Sequence, residues 1–209
     1  MVSIVCRKYA RGLALSLAIP LVGCSSKAAR VYPPDFEAAE AAAAAMEEYD
    51  ADGNGSLSDE ELQGCPGIGE NITFYDKDKD GQVSALELEG RLNSWLGSNV
   101  GCVARKALVT LDGKPLKGAI VCLEAEDFLG DGVRPAGGET TSRGLVRIRV
   151  DTSEGGRPLP GIQPGIYKVT VTHPTIDILP RYNTETMLGC EGAPDRPYET
   201  FLRFEMKSR

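Results

Sequence analysis

Two acidic segments of twelve residues, each ending in glutamate, restrict the fold of this chain more than any other feature of its sequence. They run from Asp50 to Glu61 and from Asp76 to Glu87, and their first residues lie 26 positions apart. Each segment has glycine at its sixth position and an oxygen-bearing group at positions one, three, five, seven, nine and twelve. Calcium takes six to eight oxygen ligands at about 2.3–2.6 Å, so a loop with oxygens at alternate positions and a sharp central turn can wrap around the ion.

Both segments match the calcium loop of the EF-hand family, and each ligand position is filled. The predicted ligands are Asp50, Asp52, Asn54, Ser56, Ser58 and Glu61 in the first loop, and Asp76, Asp78, Asp80, Gln82, Ser84 and Glu87 in the second. Leu57 and Val83 occupy position eight, where the resemblance implies a short antiparallel bridge between two loops that fold as one unit. An acidic glycine-rich stretch also fits a solvated turn, but two complete tandem matches favour two bound calcium ions.

Helical patterns surround both loops. Asp35 can cap a helix over 36–49, which is rich in Ala and Glu. A cluster of glycines and a proline after Leu62 predicts that the helix leaving the first loop is short. The residues that mark the later helices are Ile68, Ile72 and Tyr75 before the second loop, and Leu88, Leu92, Trp95 and Leu96 after it. For Trp95 we expect a core position rather than a binding role.

From Gly101 to Arg209 the pattern changes to short alternating segments broken by glycine and proline, which indicates strands of a sandwich. The predicted strands are Val103–Leu111, Ala119–Ala125, Thr140–Val150, Ile166–His173 and Tyr198–Met206, with a turn from Asp112 to Pro115 and long loops over 127–138 and 175–196.

Three runs in this region, DGKPLKGAIVCLE, TTSRGLVRI and GIQPGIYKVTV, resemble the carboxypeptidase regulatory-like, or transthyretin-like, domain. That resemblance implies a seven-stranded β-sandwich. Together with LPRYN from Leu179 and TMLGCE from Thr186, the chain over 35–209 is similar to bacterial envelope lipoproteins that join paired EF-hands to such a domain. The predicted fold class is therefore α+β, with a small helical EF-hand pair over 35–98 followed by an antiparallel β-sandwich of transthyretin-like or Ig-like type over 101–209.

The first 24 residues read as a lipoprotein signal. Arg7, Lys8 and Arg11 precede a short apolar run, and Leu21 to Cys24 resembles the lipobox, which predicts cleavage after residue 23 and a lipid on Cys24. The alternative is a buried apolar strand. We expect residues 24–34 to form a tether, the protein to be held to a membrane by acyl chains, and the location to be the cell envelope. By resemblance, Ser25 fits sorting to the outer membrane.

The net charge of the chain argues against one class of binding partner. The chain carries 23 basic and 30 acidic residues, a net charge of −7. Three of the basic residues lie in residues 1–23, so cleavage would leave −10. An acidic protein lacks the cations that displace counterions from phosphate backbones, which argues against nucleic acid as a partner. The expected partner of the sandwich is an envelope protein or a polysaccharide.

Four cysteines remain beside Cys24 after the predicted cleavage, and an oxidising compartment would favour their pairing. These four cysteines can form two disulfides in three different ways. The pairing of Cys65 with Cys102 would join the EF-hands to the first strand, and Cys122 would then pair with Cys190. Free buried thiols are the alternative.

Catalysis has little support in the sequence. The single histidine, His173, precedes Pro174 and fits a surface or turn role, and no HExxH, GxSxG or phosphate-loop motif occurs. Hydroxyisourate hydrolysis, which a transthyretin-like fold suggests, relies on several histidines and a C-terminal Tyr-Arg-Gly-Ser that this chain lacks. We therefore expect a non-catalytic, lipid-anchored calcium-binding protein in which calcium rigidifies a spacer. The alternatives are a calcium sensor that exposes an apolar groove and a dockerin-like adhesion module.

Overall fold

Four short helices surround the two acidic loops in the computed structural model, which describes residues 31–150, 158–196 and 201–209. The helices are α1 (Ala38–Tyr49), α2 (Pro66–Gly69), α3 (Ile72–Tyr75) and α4 (Ala85–Gly97), and a three-residue 3₁₀ turn follows the first loop at Glu61–Gln63. Strands β1 (Ser56–Leu57) and β2 (Val83–Ser84) lie inside the loops and pair antiparallel. The region has the predicted helix–loop–helix order, and the segment between the loops is broken into separate turns.

The two longer helices, α1 and α4, form for different reasons. One face of α1 consists of buried alanines, namely Ala38, Ala41, Ala42 and Ala45, which allow close packing. Helix α4 begins with a capping box in which Ser84 accepts from the Glu87 N–H while the Glu87 side chain accepts from the Ser84 N–H. Leu88, Leu92 and Trp95 lie buried on one face of α4, so the predicted core position of Trp95 is confirmed.

The predicted cap of the first helix is wrong. Helix α1 begins at Ala38, and Glu37 at its N-cap position makes no side-chain cap. The Asp35 N–H instead donates to the Gly132 carbonyl at 3.3 Å, which ties this residue to the β region. Asp35 therefore makes a tertiary contact and does not cap the helix.

The β region forms two sheets. The larger contains β11 (Gly189–Gly192), β10 (Gly165–Thr172), β5 (Ile120–Ala125), β6 (Ala136–Glu139), β8 (Arg149–Val150) and β9 (Leu159–Pro160), in that order. The smaller contains β12 (Phe201–Met206), β3 (Lys106–Leu111) and β4 (Lys114–Pro115), with β7 (Leu145–Arg147) also paired to β3. Apolar side chains from both sheets fill one core with the helices. The predicted fold class, a small helical region followed by a β domain rich in antiparallel strands, is confirmed.

Three details differ from the prediction. Strands β6 and β11 fall in the stretches predicted as loops, because their sequences AGGE and GCEG carry no alternating apolar pattern. The final strand β12 pairs in parallel with β3, in the register Phe201 with Lys106. The segment predicted as one strand or hairpin arm over 140–150 divides into β7 and β8, which belong to different sheets.

The helical region lies directly against the larger sheet. A Cβ on Gly189 of β11 would come within 2.3 Å of the Gly67 nitrogen in α2, and a Cβ on Gly67 would come within 2.7 Å of the Ile166 side chain in β10. Only glycine permits so close a backbone approach. Helix α2 and strand β11 are therefore packed backbone to backbone.

We expect Gly189→Ala to destabilise the protein by about 1–3 kcal/mol or more, because the new methyl group would force α2 away from β11. The matched control is Gly90→Ala in the exposed middle of α4, where an added Cβ would meet no atom within 4 Å. This control should stabilise the protein by about 0.5–1 kcal/mol through helix propensity. Urea unfolding of both variants measures the difference, and equal midpoints would contradict the close packing.

Both predicted disulfides are wrong. Cys65, Cys102 and Cys190 are free thiols, so neither Cys65 with Cys102 nor Cys122 with Cys190 is joined. Strand β10 lies between the strands that carry Cys122 and Cys190, pairing Thr170 with the first and Tyr167 with the second. Positions 167 and 170 face opposite sides of the sheet, so Cys122 and Cys190 also point apart.

The Cys65 thiol makes a different contact. It donates to the Glu126 carboxylate, with the sulfur 3.5 Å from Oε1. The sulfur of Cys102 lies 3.4 Å from the Pro160 carbonyl oxygen. Each sulfur therefore has its own polar neighbour in the β region, and no bond joins the two.

Within the described residues, no helix is long and apolar enough to cross a membrane. The predicted signal peptide and the lipidation of Cys24 fall outside those residues, as does most of the tether over 24–34.

Candidate metal centre

The first loop closes around its own carboxylates. The Asp50 carboxylate accepts hydrogen bonds from the N–H groups of Gly53, Asn54 and Gly55 at 2.8–3.1 Å. At the other end, the two Glu61 carboxylate oxygens accept from the Ala51 N–H and from Ser58. The backbone N–H groups thus hold the first and last carboxylates of the loop in place.

The second loop repeats this arrangement. Asp76 accepts from the N–H groups of Lys79 and Gly81 at 2.6 and 3.0 Å, and Glu87 accepts from the Lys77 N–H and from Ser84. The fourth and sixth loop positions require left-handed backbone, and Lys79 adopts it with φ of 66° where the first loop has Gly53 at 71°. Both sixth positions are glycines, with φ of 86° and 85°. The two loops therefore share one backbone path.

Carboxylate oxygens converge in each loop. One oxygen from each of Asp50, Asp52 and Glu61 lies within 4.8 Å of the others, and the same holds for Asp76, Asp78 and Asp80. Oxygens on opposite sides of a calcium ion at about 2.4 Å are about 4.8 Å apart, so the spacing suits one such cation per loop. The donors are all oxygen, which is the set that calcium prefers. Both loops fit calcium by spacing and by chemistry.

The other predicted ligands lie in the same loops, but the structure gives less direct evidence that they bind calcium. The Asn54 and Asp80 side-chain oxygens each accept from the N–H two residues later, in Ser56 and Gln82. The Ser58 and Ser84 hydroxyls donate to the final glutamate of their own loop. Glu87 lies outside the converging cluster of the second loop. The full sets of six ligands therefore stay predictions.

The predicted bridge between the loops is present. Leu57 pairs with Val83 and Ser56 with Ser84, and both apolar side chains are completely buried. This two-strand contact joins the seventh to ninth positions of the loops, so a change in the backbone of one loop acts directly on the other.

Hydrogen bonds favour the charged form of both closing glutamates. Those from the Ser58 backbone and hydroxyl lower the pKa of Glu61. Burial raises the pKa of Glu87, but hydrogen bonds from Ser84, Lys77 and Asp78 outweigh burial and leave that pKa below its ordinary value. Both carboxylates are therefore kept ionised and ready to bind a cation.

A tyrosine immediately before each loop is anchored to a buried glutamate of the β region. The Tyr49 hydroxyl donates to Glu126 at 2.9 Å, and the Tyr75 hydroxyl donates to Glu191 at 3.0 Å. Glu126 and Glu191 are 0% and 3% exposed. Each loop therefore begins one residue after a fixed contact with the sheets.

Glu191 in β11 is also the centre of a buried ionic cluster. Arg91 of α4 donates to it at 3.0 Å, and Arg196 forms a second ion pair with its other oxygen. Arg91 additionally pairs with Asp195 and lies 5.2–5.7 Å from the ring centres of Phe74, Tyr75 and Trp95. Both helices that surround the second loop are thus fixed to the same carboxylate.

Glu126 has a weaker set of partners. Lys168 contacts its carboxylate at 2.9 Å and is itself one-third exposed. Burial raises the pKa of Glu126, while the hydrogen bond and charge of Lys168 oppose that rise without cancelling it. Since Glu126 is completely buried beside Tyr49 and Cys65, its ionised form carries a cost of desolvation.

The raised pKa of Glu126 predicts a pH dependence of stability. The folded protein binds more protons than the unfolded chain between the ordinary glutamate pKa of about 4.3 and the higher folded value, so stability falls as the pH rises through that window. We expect Glu126→Gln to become more stable relative to the unchanged protein between about pH 4 and about pH 8.

Urea unfolding at both pH values measures the change, and the matched control is Glu124→Gln, an exposed residue two positions earlier in β5. A difference between the Glu126 variant and the unchanged protein that does not grow with pH would contradict the role of Glu126.

The burial of Glu126 and Glu191 was not predicted from the sequence. One available signal was Arg91, which lies three residues after Leu88 and four before Trp95, on the apolar face of α4. A charged residue on such a face needs a partner. The sequence did not show that the partner is Glu191, because 100 residues separate the two.

His173 lies in an exposed turn. Its Nδ1 accepts from the N–H groups of Thr175 and Ile176 at 3.1 and 3.0 Å, and its Nε2 donates to the Lys117 carbonyl. The His173 ring thus stabilises the turn at the surface, which agrees with the predicted surface or turn role.

Both loops match one family of known proteins. The family described as EF hand matches residues 42–65 and 73–90. These two segments contain both acidic loops and the ends of the helices beside them, and the match does not extend into the β region. No curated protein matches the chain. The resemblance of the β region to the carboxypeptidase regulatory-like domain stays a prediction.

Proposed function

We propose that this protein binds two calcium ions, one in each loop, and that calcium fixes the EF-hand pair against the β domain as a static clamp. The observation that carries the proposal is the pair of tyrosine anchors, Tyr49 to Glu126 and Tyr75 to Glu191. Calcium would hold each loop closed, while the anchors hold the start of each loop to the sheets. The predicted spacer is thus a helical region packed on the sandwich rather than a separate unit.

The packing favours a clamp over a sensor. A sensor opens its helix pair to expose an apolar groove. Here Leu88, Leu92 and Trp95 of α4 are already buried, and Arg91 on the same helix is paired with Glu191. Opening would break this buried ion pair, so the structure supports calcium acting on stability.

A calorimetric titration tests calcium binding. The purified protein should bind about two calcium ions with measurable heat. Glu61→Gln combined with Glu87→Gln should abolish that heat, whereas the control Glu60→Gln combined with Glu89→Gln should retain it. Absence of heat with the unchanged protein would overturn the proposal. A large calcium-dependent rise in binding of a hydrophobic dye would support the sensor instead.

We further propose that the protein is non-catalytic and is anchored in the cell envelope through a lipid on Cys24, with the outer membrane favoured. The support is the order of the basic segment, the apolar run and the lipobox in the sequence. The β domain would dock to an envelope protein or polysaccharide. Cys24→Ser should release the protein from the membrane fraction and remove the mass of the acyl chains. Unchanged mass and unchanged fractionation would contradict lipidation.

A further inference from the structure

A cleft of about 430 Å³ lies where the helical region and the two sheets meet. Its walls come from β11 of the larger sheet, from β12 of the smaller sheet and from Glu70 and Asn71 between α2 and α3. Clefts of this size at the junction of two structural units are frequent sites of ligand binding. Neither the calcium loops nor their anchoring tyrosines line this cleft.

Strand β12 presents its edge to the cleft. Four successive residues, 201–204, line the cleft, although neighbouring side chains of a strand point to opposite faces. Because residues from both faces of β12 line the cleft, the strand turns its edge toward it. Within the described residues β12 pairs only with β3, and no other described strand covers its outer edge. The N–H and C=O groups along such an edge can accept a further strand.

The lining of the cleft carries a small excess of positive charge. Arg105, Arg196 and Arg203 line it together with Glu70 and Glu191, which gives a net charge of +1. Arg196 is paired with Glu191, and Arg105 is buried and donates to the Ala193 carbonyl, so the positive charge open to a ligand is that of Arg203. Arg203 is exposed, stacks near the Phe201 ring at 5.7 Å, and has no carboxylate at ion-pair distance among the described residues.

From these observations we propose that the cleft binds an extended peptide segment with acidic side chains, which adds as a strand to the free edge of β12. The backbone of the peptide would pair with residues 201–204, and a carboxylate of the peptide would meet Arg203. The row of backbone groups favours a peptide over a small anion, because a small anion would use only the Arg203 side chain. The concave shape of the site favours a peptide over a flat lipid surface.

The test uses fluorescence anisotropy with the full-length protein and a labelled peptide of about ten residues that alternates Glu and Thr. We expect saturable binding. Arg203→Glu should weaken it by about tenfold or more. The control Lys114→Glu makes the same charge change at an exposed position at the other end of the same sheet, and it should weaken binding by less than about twofold. A version of the peptide with N-methylated backbone amides on alternate residues should also bind about tenfold more weakly.

Four outcomes would overturn the proposal. The first is no anisotropy change at about 1 mM protein. The second is an equal loss for Arg203→Glu and Lys114→Glu, which would indicate general attraction of charge. The third is equal binding of the N-methylated peptide, or full competition by free glutamate, which would indicate a site for a small anion. The fourth is stronger binding to anionic phospholipid vesicles than to the peptide. Circular dichroism of both variants checks that each is folded.

Discussion

Glu191→Gln is expected to lower the free energy of unfolding by about 3 kcal/mol or more, the largest effect that we predict for a single side chain. The change removes a buried negative charge that Arg91 and Arg196 both contact. The side chains of these arginines are 5% and 10% exposed, so neither can recover its hydration by turning outward. Breaking a buried ion pair from one side leaves an uncompensated charge, which costs more than the intact pair contributes.

Two probes show whether this residue joins the helical region to the sheets. Trp95 is the single tryptophan and lies in α4, so its fluorescence follows the helical region, whereas circular dichroism follows the whole chain. Both urea transitions should move together to lower concentration. The control Glu205→Gln, at an exposed position of β12, should stay within about 0.5 kcal/mol of the unchanged protein. A shift confined to the fluorescence transition would contradict the inference that Glu191 joins the helical region to the sheets.

The features that were predicted correctly depend on short-range patterns. The two loops, their bridge through Leu57 and Val83, and the buried face of α4 each follow from residues within one segment or from one family pattern. The apolar strands β3, β5 and β10 were located for the same reason, because alternation of apolar side chains marks a half-buried strand within a few residues.

The features that were missed depend on contacts between distant segments. Strand β6 contains Gly137, where a Cβ would come within 2.4 Å of the Val121 carbonyl oxygen, so its sequence is set by close backbone approach rather than by alternation. Glu126 and Glu191 are acidic residues that sequence alone places at the surface. Their burial depends on tyrosines 77 and 116 residues away. The disulfide prediction failed likewise, because spacing along the chain did not show which face of a strand each cysteine occupies.

Glu87→Gln should remove the calcium-dependent stability of the second loop while leaving the calcium-free protein almost unchanged. If free calcium exceeds the dissociation constant of one site by about a hundredfold, binding stabilises the folded state by about 2.7 kcal/mol. Glutamine keeps the capping box with Ser84, since either Glu or Gln serves at that position of a helix. The substitution therefore removes a predicted calcium ligand and retains the cap of α4.

Measurements with and without calcium separate these two roles of Glu87. With a chelator present, unfolding of Glu87→Gln should stay within about 0.5 kcal/mol of the unchanged protein, and with calcium it should fall behind by about 2.7 kcal/mol. The matched control is Glu89→Gln, the same chemical change two residues later on α4, which should respond to calcium as the unchanged protein does. An equal loss in both conditions would mean that Glu87 acts as a helix cap only. Because Leu57 and Val83 join the loops, we also expect the first site to bind calcium more weakly in Glu87→Gln, a coupling that two independent loops would not show.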